Sequence, residues 1–137
     1  MTLSRLSRVI TLVLASSGAA CRFGSHVETF VPANTPNGVS ARLETASGKV
    51  TAEVLDVRDS GLVVLNNARV TFVPYRSIDA GSFDQLGVSI RHGQFQNAEK
   101  RNRVRLASRF PQGITPETER QLLGLYHQSS IAVLGAK

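Results

Sequence analysis

Val39-Ser40-Ala41-Arg42-Leu43-Glu44, then Ala46-Ser47-Gly48, then Val50-Thr51-Ala52-Glu53-Val54-Leu55-Asp56-Val57 is the stretch whose reading decides the fold. Val39, Ala41 and Leu43 alternate with Ser40, Arg42 and Glu44, the period of two that sets apolar side chains on one face of a half-buried strand. Ala46-Ser47-Gly48 turns the chain, after which Val50, Ala52 and Val54 resume the alternation and the pattern runs on through Leu55 and Val57. Arg58-Asp59-Ser60-Gly61 predicts a second turn. Leu62-Val63-Val64-Leu65 is a continuous aliphatic run ended by Asn66-Asn67, and Val70-Thr71-Phe72-Val73 is stopped by Pro74, which has no amide to donate to a ladder. Val88-Ser89-Ile90 is a weaker fifth candidate. Closely spaced strands joined by short turns predict an antiparallel meander that curls to close, or nearly close, its edges.

Beyond Gly93 the character changes. Asn97 is a good helix cap, and Ala98, Glu99, Lys100, Arg101 and Leu106 favour a helix that Pro111 would end. Yet Val104, Leu106, Ser108 and Phe110 also alternate with Arg103, Arg105, Ala107 and Arg109 as a strand would, so both readings stand, with helix favoured. A second helix is signalled more fully. Thr115 is its cap, Pro116 takes the first helical position, Glu117 and Glu119 sit at the positive dipole end, and Leu122, Leu125 and Tyr126 follow at packing spacing. The apolar tail Ile131-Ala132-Val133-Leu134 reads as a last strand or as core filler. The predicted fold is mainly β with α: a small five-stranded antiparallel barrel over residues 39–93, then one or two short helices in a C-terminal extension, 94–137, packed on it.

The first 20 residues read as an export leader. Arg5 and Arg8 form a positive start, and Val9 to Ala15 is an apolar run of seven, far below the ~20 residues that span a bilayer. Small residues, Ala19 and Ala20, then precede Cys21. This ending resembles a bacterial lipobox, and the resemblance implies that the Cys21 thiol is lipidated and the leader removed just before it. Gly18 stands where that pattern has an aliphatic residue, which leaves simple cleavage after Ala20, or an uncleaved chain, as alternatives. Arg22 follows the cysteine where an Asp would signal inner-membrane retention, so the outer membrane is favoured over the inner.

Cys21 is the chain's one cysteine, and no internal disulfide is possible. Residues 21–38, with Gly24, Pro32, Asn34, Pro36 and Gly38, read as a tether after the anchor. The remaining length suits one domain held by its own core. Losing Arg5 and Arg8 takes sixteen basic residues to fourteen against ten acidic ones, so the net charge of +6 falls to +4.

The succession Leu43…Ser47-Gly48-Lys49-Val50…Glu53-Val54-Leu55-Asp56-Val57…Gly61-Leu62-Val63-Val64-Leu65…Val73-Pro74-Tyr75…Ile78 resembles the small five-stranded barrels of the SH3-like and Sm-like type. A glycine turn, a long bent second strand, an Asp turn and a hydrophobic third strand recur in that order. Sm-like proteins hold RNA with an Asp and an Asn near the second and third strands. Asp59 and Asn66 match these loosely in position, and no RNA site is carried over.

The strongest charge feature is Lys100, Arg101, Arg103, Arg105 and Arg109, five cations in ten positions. On a helix Arg101, Arg105 and Arg109 would share a face suited to lipid phosphates or other envelope polyanions. The plainer reading is a solvated face paired with Asp79, Asp84 or Glu99. Phe95 and Phe110 flank the cluster without interleaving it, which weakens a nucleic-acid reading. His26, His92 and His127 are scattered, with no second His or Cys at ligand spacing, so neither metal nor cofactor is expected. Asp56 with Asp59 and Glu117 with Glu119 fall in a turn and at a helix start, and no nucleophile elbow, phosphate loop or dinucleotide fingerprint is present. The expectation is a non-enzymatic lipoprotein of the cell envelope, on the periplasmic side, that binds or scaffolds an envelope protein or polyanion. The alternative is an Sm-like nucleic-acid binder using residues 100–109.

Overall fold

In the computed structural model, which describes residues 37–135, the alternating stretch forms β1 (Ser40–Thr45) and β2 (Gly48–Val57). Cys21, the leader and the tether as far as residue 36 lie outside the described residues. β3 (Gly61–Asn66) and β4 (Arg69–Pro74) follow where the aliphatic runs place them, with Pro74 as the last residue of its strand. A single 3-10 turn, Tyr75–Ser77, leads to β5 (Ile78–Phe83), β6 (Val88–Arg91) and β7 (Gln94–Phe95). Then come α1 (Ala98–Ala107), α2 (Pro116–Leu125) and β8 (Ala132–Val133).

Among the described residues the architecture is mainly β with two helices, and the sheet has eight strands rather than the five expected, in the order β7-β6-β5-β1-β2-β3-β4-β8. β8 runs parallel to β4 and all other pairings are antiparallel, so the sheet is mixed, and its edge strands β7 and β8 are not joined to each other. The expected fifth strand is β6. The unexpected β5, Ile78-Asp79-Ala80-Gly81-Ser82-Phe83, carries Asp and Gly that strands disfavour, and is held by pairing with β1 on one side and β6 on the other. β7 and β8 have two residues each, too few to show a period.

A bulge in β2 organises the interior. The register with β3 slips between Val54 and Asp56, leaving Leu55 without a cross-strand partner. One extra residue shifts the alternation by one position, so Ala52, Val54 and Val57 all face one core while Leu55 faces another. The first core gathers Leu43, Val54, Leu62, Val64, Val73, Ile78, Phe83 and Ile90 on one face of the sheet and takes in Val104 of α1. The second lies on the other face, where Leu55, Val63 and Val70 meet Leu123 of α2. Each fully buried aliphatic side chain contributes about 1.5–3 kcal/mol of transfer free energy.

Candidate functional site

The basic segment is a helix because Asn97 caps it. Its Oδ1 accepts from the Lys100 N–H at 2.8 Å, satisfying a donor that the first turn leaves free. The helix stops at Ala107, four residues before Pro111. Ser108 is fully buried and donates its hydroxyl to the Arg105 carbonyl, and the chain then becomes extended. At the bulge the carbonyls of β2 take this extended segment: Arg109 N–H donates to Val54 O at 3.0 Å and Phe110 N–H to Leu55 O at 2.9 Å. Backbone accounting therefore overrides the helical spacing of the arginines.

The five cations divide accordingly. Arg109 leaves the helix face and forms a bidentate pair with Glu53, Nε to Oε1 at 2.7 Å and Nη2 to Oε2 at 2.6 Å. Glu53 Oε1 also accepts the Gly38 N–H at 2.6 Å, so one carboxylate ties the entering chain, β2 and the segment after α1. Gly38 is required there, because a Cβ would stand 2.1 Å from Val54 O and 2.6 Å from Arg109 N. Burial disfavours the charged guanidinium of Arg109, and the hydrogen bonds and charge of Glu53 more than offset it, leaving its pKa raised. Arg101 pairs with Asp59 in the β2–β3 turn, a bond that likewise raises its pKa. None of Asp79, Asp84 and Glu99 is the partner of these two arginines; Asp84 pairs with Arg42.

Lys100, Arg103 and Arg105 are not neutralised by a carboxylate among the described residues. Lys100 Nζ reaches Gly87 O at 3.4 Å; Arg105 is braced by Asn102 Oδ1 at 2.7 Å and Pro111 O at 3.3 Å. Arg103 is exposed and makes no hydrogen bond or ion pair among the described residues. The flanking aromatics face inward. Phe95 stacks on Phe83 and meets Tyr75 edge-on, and Phe110 packs into the second core.

Tyr75, which stands near the end of the barrel-like succession, donates its hydroxyl to Arg58 O at 2.9 Å beside Arg101. Burial pushes its pKa up to about 12 against the opposing pull of Arg101. Nearby, buried Asp56 pairs with Arg58, which also reaches Glu119 of α2 at 3.5 Å, so both acids serve structure. His92 lies in the β6–β7 turn and His127 two residues after α2, far apart in the chain, each with a positive φ. Among the described residues no group of three or more His, Cys, Asp or Glu is placed to hold a metal, and no helix is long and apolar enough to cross a membrane. Cys21 lies outside the described residues.

No family model, curated protein or solved structure matches this chain.

Proposed function

We propose that this chain is an exported lipoprotein of the cell envelope, anchored through Cys21 on the periplasmic side and favouring the outer membrane, whose folded part is a non-catalytic binding or scaffolding module. The observation that carries this reading is the leader itself: Arg5 and Arg8, a seven-residue apolar run, and Ala19-Ala20 before the chain's one cysteine. The fold is compatible with that role, since two apolar cores hold it without a disulfide. Anchoring makes a modest interface effective by raising its local concentration near a membrane partner. We read the central run β5-β1-β2-β3-β4, with β1 pairing on both sides and β2 bent at its bulge, as a small barrel of the SH3-like or Sm-like type, extended by β6, β7 and β8.

Intact mass and detergent partitioning of the protein from a bacterial host, beside Cys21→Ala, test the proposal. The expected product begins at Cys21, carries acyl chains and enters the detergent phase; the variant does neither. An unlipidated product that begins at Met1, stays in the cytosol and binds single-stranded RNA in a salt-dependent way overturns it in favour of the nucleic-acid alternative.

A further inference from the structure

We infer that in the anchored protein the outer face of α1, Leu106 with Arg103 and Arg105 on its flanks, lies against an anionic lipid surface and orients the domain on the membrane. This rests on the reading that Cys21 carries the anchor.

The first support is where the tether enters. Val39 N–H donates to Ala107 O at 2.8 Å, and Arg109 Nη2 reaches Asn37 Oδ1 at 3.4 Å, so the chain arriving from Cys21 joins the fold beside the last turn of α1. Asn37 lies sixteen positions after Cys21. A chain of that length spans at most about 53–58 Å. The last turn of α1 therefore stays within that reach of any bilayer that holds Cys21.

Charge is the second support. At 100° per residue, with Val104 facing the core, Leu106 points outward and Arg103 and Arg105 stand on either side of it. Arg105 is braced only by neutral oxygens and Arg103 by nothing among the described residues, while Glu99 is the helix's one acid. Leu106 is 55 % exposed, between two cations that no carboxylate neutralises among the described residues. The exposed Leu125, by contrast, shares its helix with Glu117 and Glu119. Guanidinium groups meeting lipid phosphates, with a leucine entering the boundary between head groups and acyl chains, match this arrangement. The anchor supplies attachment, and the face supplies orientation.

Lipidation occupies the one native thiol, so a cysteine placed at Leu106 is the only site a thiol-reactive dye can label. Lipidated Leu106→Cys, carrying a polarity-sensitive dye, is reconstituted in vesicles of neutral phosphatidylcholine and in vesicles with added phosphatidylglycerol; Val133→Cys is the control. The expected result is a blue shift at position 106 on anionic vesicles only, none at position 133, and a ratio of docked to undocked protein that falls about five-fold with either Arg103→Gln or Arg105→Gln. A lipidated protein whose dye at 106 stays in water on both vesicles overturns the docking and leaves the anchored module standing. An unlipidated product overturns both.

Discussion

α1 and α2 have ten residues each and are attached to the same sheet by opposite means. α2 is held by apolar packing: Leu122 and Leu123 are buried, and Leu123 sits among Leu55, Val63 and Val70. α1 buries one apolar side chain, Val104, and is otherwise secured at its end by backbone bonds to β2 and Val39 and by the ion pair of Arg109 with Glu53. A helix of the first kind announces itself by periodicity. One of the second kind depends on partners far away in sequence, and leaves its outer surface free to be cationic.

Removing the packing of α2 is expected to do the most damage. Leu123→Ala should cost about 3 kcal/mol, read from the urea unfolding midpoint. A cost below about 1 kcal/mol would mean that α2 is not held by its core contact. Next comes the knot behind α1: Glu53→Ala leaves the Arg109 guanidinium and the Gly38 amide without their acceptor and should cost about 2 kcal/mol. If Glu53→Ala proved harmless, the polar attachment of α1 would be ornamental and the contrast between the helices would collapse. The Arg101–Asp59 pair is the exposed counterpart of that knot, and Arg101→Ala should leave the unfolding midpoint unchanged within error.

The smallest effect is confined to alkaline solution. Burial raises the Tyr75 pKa from 10.0 to about 12, so folding favours the neutral phenol. Its contribution is whole below pH 10 and fades as pH rises through about 12. Tyrosinate absorbance in Tyr126→Phe, where Tyr75 is the remaining tyrosine, should titrate near pH 12; a midpoint near 10 would show the ring to be solvated.

What the sequence displays follows the same division. β1 to β4 are legible because their alternation and their turns are local, and the shift from Val54 to Val57 already contains the bulge that the register reveals. α2 is legible at its start, where Thr115 Oγ1 accepts from Thr118 N–H and Pro116 is the first helical residue, but its packing face was misread by two positions: Leu125, expected to pack, is exposed, and Leu123 enters the core. β5 was hidden because its stability comes from two neighbours and not from its own residues. The cationic face was misread at Arg109 for a similar reason. Its partner Glu53 lies 56 positions back, and no spacing rule links them. Asp59 and Arg101 are 42 apart and equally silent.

The knot at Gly38 also governs how force would travel. A pull on the tether reaches the fold at Gly38 and Val39, where Glu53 grips the Gly38 amide and Val39 O accepts from Val54 N–H at 2.8 Å. Both contacts lead into β2, which has strands on either side in the sheet, and not into a free edge. Tension is thus delivered to the middle of the molecule and shared at once with the segment after α1. A domain gripped there resists being peeled strand by strand, the mode of failure an edge attachment invites.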